Sequence, residues 1–171
     1  MKAVESIFIF IFLIYFGSCI ESDLALENQP NVDTAYANVD PALVPHFRSF
    51  EQAAANFGFN VDLSTSGISG KIISINDGNI AGTCSYSSNF SHRDIEIDKS
   101  FWDRASHLYR EYIIFHELGH CYLRRDHKEG CLQSGIYQSL MRSGEGGCRD
   151  NYSRTTRDYY IRELFSENIG A

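Results

Sequence analysis

The sequence predicts an α+β domain, a small mixed sheet packed on a long helix and closed by a C-terminal helix. Three observations carry this. Apolar residues recur at helical spacing in three separated stretches. Short β-rich segments with turn signals lie between the first stretch and the second. The chain has 171 residues and no internal repeat, which suits one domain with its own core.

The N-terminus stands apart from that core. Lys2 is followed by ten unbroken apolar residues, Ile7 to Phe16, and then by Gly17-Ser18-Cys19. A run this short, ending in small residues, reads as a secretion signal over residues 1–18, not as a membrane span. Phe16-Gly17-Ser18-Cys19 resembles a bacterial lipobox, which implies cleavage before Cys19 and a lipid on its thiol. Plain secretion with cleavage at a nearby small residue is the alternative. Residues 19–40 are polar, carry Pro30 and show no periodicity, so they read as a lipidated N-terminus and tether.

The folded domain is expected over residues 41–171. Leu43, Val44, Phe47, Phe50, Ala54 and Phe57 mark a first helix over Pro41 to Phe57, with Gly58 just beyond it. Ile68 to Asn76 is β-rich, and Asn76-Asp77-Gly78-Asn79 is a turn signal. Ile80 to Tyr86 fits a second strand. Asp94-Ile95-Glu96-Ile97-Asp98 alternates as a half-buried strand does, and is expected at the sheet edge. Phe101 and Trp102 are expected as core anchors. Leu108, Tyr112, Phe115 and Leu118 set the stripe of the long helix, from about Ser106 to Leu123. Irregular chain and a loop containing Met141 follow, then a helix over Thr155 to Phe165.

Fifteen basic residues face 22 acidic ones, a net charge of −7. That balance argues against nucleic acid as the main partner, since phosphate contact needs a basic surface. Beyond Cys19 the chain has Cys84, Cys121, Cys131 and Cys148. In an oxidising compartment these suggest two disulfides, with three alternative pairings. Cys131 and Cys148 bracket a Gly-rich loop and make a reasonable pair, which leaves Cys84 with Cys121. Free thiols or a structural zinc site are the other readings, although no CxxC pair supports the latter.

The chemistry concentrates in His116-Glu117-Leu118-Gly119-His120. Two histidines four apart on a helix share one face and can hold one tetrahedral Zn2+. Glu117, beside the first ligand, is placed to act as general base toward a metal-activated water. A third protein ligand is required, and the local candidates are Asp126 and His127. Arg124, Arg125 and Lys128 form a basic cluster nearby. It reads as solvated surface, or as a feature favouring carboxylate-bearing substrates. His46, His92 and His107 lack ligand spacing.

His116 to His127 resembles the extended motif of the metzincin zinc metallopeptidases: HExxH, a helix-ending glycine three residues on, then His or Asp three further. Met141 resembles the Met-turn that lies beneath the metal in that family. Leu123 stands where the family has glycine. Strict alignment therefore favours Asp126 as third ligand, whereas a turn displaced to Arg124 favours His127, the ligand preferred here. A Tyr137 role on the oxyanion is disfavoured because it precedes Met141. The segment also resembles small bacterial exported metallopeptidases whose motif runs HELGHC and then a histidine. Ile80-Ala81-Gly82-Thr83-Cys84, Ile95-Glu96-Ile97-Asp98 and Phe101-Trp102 look like their upstream segments, so the likeness spans roughly Ala42 to Phe165. It implies a zincin-type peptidase cleaving peptide or protein substrates, monomeric and lipid-anchored, facing the periplasm or the cell surface. A non-catalytic zinc-binding lipoprotein, or a zinc hydrolase of a non-protein amide, are the rival expectations.

Overall fold

A computed structural model describes residues 34–144 and 147–166. The signal peptide, Cys19 and most of the tether lie outside the described residues. The elements are a 3-10 turn (Thr34–Tyr36), α1 (Val44–Asn56), β1 (Ile68–Ile73), β2 (Gly82–Tyr86), β3 (Arg93–Asp98), α2 (Lys99–Arg104), α3 (His107–Cys121) and α4 (Arg157–Ser166). The α+β expectation holds.

Packing begins earlier than residue 41. Tyr36 and Val39 are buried, and Val39 bridges Gly70 in β1. Asp40 N–H donates to the Gly70 carbonyl at 2.8 Å. The end of the expected tether is therefore part of the domain, held by a backbone bridge that its polar composition does not reveal.

α1 starts with a proline in its first turn and buries Phe47, Phe50, Ala53 and Ala54. It ends in paired return bonds, Gly58 N–H to Ala55 O and Phe59 N–H to Ala54 O. Gly58 takes φ 82°, the left-handed state that this helix stop requires.

The sheet is mixed, in order β1-β3-β2. β1 runs parallel to β3, and β2 antiparallel to it. The expectation that residues 94–98 form the edge is corrected, because β3 is the central strand. Alternation reports one buried face, here Ile95 and Ile97, and is silent on the number of neighbours. The outer edge falls to β2 instead. Asp98 ends β3 and caps α2, accepting from Ser100 N and Phe101 N. These bonds, with those from the Ser100 hydroxyl and Ile75 N, hold its carboxyl down to about 2. Trp102 is buried, but Phe101 is only half-buried, so Trp102 alone anchors the core.

α3 is capped by Ser106, whose hydroxyl accepts from Tyr109 N. Ile113, Ile114, Phe115 and Leu118 pack into the core with Phe50 and Phe165. Cys84 is bonded to Cys121 and Cys131 to Cys148. The first bond ties β2 to the last residue of α3. Disulfides belong to an oxidising, extracytoplasmic setting. Among the described residues no helix is long and apolar enough to cross a membrane.

Candidate metal centre

The 3.6-residue period of α3 puts His116 and His120 on one face, one turn apart. Their Nε2 atoms lie 3.1 Å from each other. His127 completes the group: its ring centroid is 5.3 Å from that of His116 and 4.7 Å from that of His120. One ligand nitrogen from each of the three lies within 4.8 Å of the others, so the group could hold a metal ion. Asp126, the alternative third ligand, is not in the group; His127 and Asp126 are both exposed, so it is placement and not burial that separates them.

The turn that delivers His127 falls at Arg124, as the displaced-turn reading requires. α3 stops at Cys121, Leu123 N–H returns to Leu118 O, and Arg124 takes φ 56°. Arg125 N–H then donates to Gly119 O at 2.9 Å. Leu123 stays buried in the core, so the reversal occurs one residue beyond it.

Both helical histidines are oriented by backbone carbonyls. His116 Nδ1–H donates to Leu140 O at 2.9 Å, and His120 Nδ1–H to Arg125 O at 2.6 Å. A carbonyl only accepts, so each Nδ1 carries the proton and each Nε2 presents a lone pair. Two lone pairs facing across 3.1 Å suit a shared cation. Burial holds the His116 imidazole down to about 3 and lowers His120 as well, which keeps both in the neutral, ligating form. The donor set therefore fits a divalent metal ion of the kind that imidazole nitrogens hold.

Met141 lies under the helix between the two ligands. A Cβ on Gly119 would come within 2.3 Å of Met141 Sδ, so only glycine admits the methionine there. Met141 and Leu140 are both fully buried, which fixes the carbonyl that holds His116.

Glu163 of α4 joins the two loops that orient the ligands. Its Oε1 accepts from Arg125 (2.7 Å) and Lys128 (3.4 Å). Its Oε2 accepts from the Ser139 hydroxyl (3.0 Å) and Leu140 N–H (3.4 Å). Arg125 also donates to the Glu163 and Leu164 carbonyls. The basic cluster is thus not simply solvated, since two of its three members meet one carboxylate.

Glu117 points into the same cleft, only 5% exposed. Among the described residues nothing donates a hydrogen bond to it. Burial pushes its carboxyl up to about 8, and a neighbouring dication would favour the carboxylate. Gly82 in β2 makes its room: a Cβ there would lie 2.9 Å from Glu117 Oε1. The cleft holds about 570 Å³ and is walled by α3, β2 and the loops bearing His127 and Arg142. Arg142 lies over the Tyr112 and Tyr137 rings and pairs with Asp150.

Gly82 and Glu163 carry no sequence signal of this role. A glycine in a short strand and an acid in a surface helix are both ordinary until the fold juxtaposes them. Tyr137 is buried, its carbonyl accepting from the Tyr160 hydroxyl, and it does not line the cleft. His46 is buried against Trp102 and His107, and His92 is exposed. None of the three joins the metal group. Compared with protein-family models, curated proteins and solved structures, the chain matches none.

Proposed function

We propose that this protein is a zinc-dependent peptidase of metzincin-like design, exported and tethered by a lipid on Cys19. The observation that carries the reading is Glu117. A buried carboxylate without a protein partner is costly, and metal binding alone does not require one beside a three-histidine group. Its place in the same cleft as the ligands suits a general base.

His116, His120 and His127 would hold the ion, leaving one position open. Zinc, when bound, polarises a water and a carbonyl oxygen. Glu117 takes the proton of the attacking water and passes it to the leaving amine. Leu140 O and Arg125 O keep the two imidazoles in register. β2 supports a peptide as substrate: only β3 pairs with it among the described residues, and its free edge lines the cleft. An extended peptide can add to such an edge through backbone hydrogen bonds. The Met141 turn beneath Gly119 supports the metzincin likeness. The two disulfides support export.

The test is digestion of a broad peptide library by zinc-loaded protein, read by mass spectrometry. We expect internal peptide-bond cleavage, reduced about a thousandfold in Glu117→Gln while zinc stays bound stoichiometrically. Stoichiometric zinc without any cleavage contradicts the proposal.

A further inference from the structure

Three arginines line the cleft, and two of them have carboxylate partners. Arg125 meets Glu163, and Arg142 meets Asp150. No carboxylate pairs with Arg124 among the described residues. Its guanidinium instead lies over the Phe90 ring, 4.4 Å from the centroid. Phe90 in turn stacks on Tyr86, the last residue of β2, with centroids 4.4 Å apart. All three side chains line the cleft that holds His116, Glu117 and His120.

The backbone gives a second, independent observation. Phe90 and Arg124 are the two non-glycine residues with positive φ among the described residues, both at 56°. A left-handed turn at the end of a helix is ordinarily made by glycine, which adopts it without steric cost. Here both strained positions carry large side chains, and those side chains meet each other at the cleft. Strain of this kind persists where the surrounding structure fixes it, and it clusters at binding sites.

We propose that Arg124, held on the Phe90–Tyr86 stack, forms a substrate subsite for the carboxylate side chain of an Asp or Glu residue. The proposal rests on the peptidase reading above and names its substrate class. A peptide added to the edge of β2 would run past Tyr86 and bring one of its side chains to the guanidinium. Guanidinium and carboxylate then meet as a fork of parallel hydrogen bonds. The aromatic stack holds the fork in place and reduces the rotamer freedom lost on binding.

The experiment uses decapeptide pools, acetylated and amidated so that no terminal charge interferes. They are randomised except for one position carrying Glu, Gln or Lys. Binding is measured to the zinc-loaded full chain carrying Glu117→Gln, and cleavage to the wild type. At low salt the Glu pool should bind and be cleaved about fivefold better than the Gln pool, and the margin should shrink as salt rises. Arg124→Gly should abolish the margin without lowering the melting temperature, since glycine relieves the turn. Arg124→Glu should shift preference to the Lys pool. Equal binding of Glu and Gln pools by the unsubstituted subsite, or a margin that survives Arg124→Gly, overturns the proposal. Selective binding without cleavage of any pool overturns the peptidase reading and leaves the subsite standing. Cleavage without preference does the reverse.

Discussion

At the residue scale, the metal group depends on contacts from far along the chain. His116 and His120 are aimed by the carbonyls of Leu140 and Arg125, and both carbonyls sit in loops that Glu163 holds. Groups of this kind typically change metal affinity ten- to a hundredfold when lost. Glu163→Ala should therefore weaken zinc binding by about that factor, as measured by competition with a chelating dye. The Co2+-substituted protein should show an altered visible absorption spectrum. Unchanged affinity and spectrum would mean that the loops hold the ligands without Glu163. Gly119 shows the limit of reading such details in a sequence. A helix-interior glycine between two histidines suggests close packing, but only the fold supplies Met141 as the neighbour.

At the element scale, α3 is fixed on the side away from its ligands by Glu111. That carboxylate accepts from Tyr152 (2.6 Å), from Arg157 Nε (2.7 Å) and Nη2 (3.0 Å), and from Ser49 (3.3 Å). It thereby binds α3 to α1 and α4. Burial alone would raise its pKa, but these hydrogen bonds outweigh it and hold the carboxyl below its ordinary 4.5. The unfolded chain then takes up this proton first as pH falls. The stabilisation is full above pH 4.5 and is lost below it. Burial likewise holds His46 down to about 4 against 6.5 unfolded, so its share is full above pH 6.5 and lost as pH falls through that window. Denaturant melts should show stability declining from about pH 6.5 and more steeply below 4.5. Glu111→Gln should cost about 3 kcal/mol at neutral pH and flatten the lower limb. An acid limb identical to wild type would mean that Glu111 does not set it.

The same elements show what the sequence could convey. α1, α3 and α4 were legible because apolar spacing and caps act locally. The turn at Arg124 was legible only through the ligand it had to deliver, since no glycine marks it. The central place of β3 was not legible, because alternation does not count neighbours. α2 was missed as a helix: it spans only Lys99–Arg104 and depends on the Asp98 cap. Cys84 and Cys121 could be paired by elimination, and the pairing already implied a strand pinned to the motif helix, as the structure has it; that this strand is an edge of the sheet was not legible.

At the scale of the whole molecule, one cleft collects residues from three separated stretches of the chain, around β2, along α3 and the loop after it, and just beyond Met141. α3 supplies two histidines and Glu117, the loop after it supplies His127 and Arg124, and β2 supplies the edge and Gly82. α4 and the Met141 turn hold the floor. The disulfide Cys84–Cys121 ties the wall of the cleft to the end of the ligand helix. Three histidines are placed to hold a metal ion beside a buried carboxylate that accepts no hydrogen bond among the described residues. Anomalous diffraction from zinc-soaked crystals would show whether they do. One ion is expected, bound by His116 Nε2, His120 Nε2 and the His127 imidazole at about 2.0–2.1 Å, with Glu117 facing it from outside the ligand set. An ion ligated by Asp126 in place of His127, an ion ligated directly by Glu117, or no ion in the cleft would contradict it.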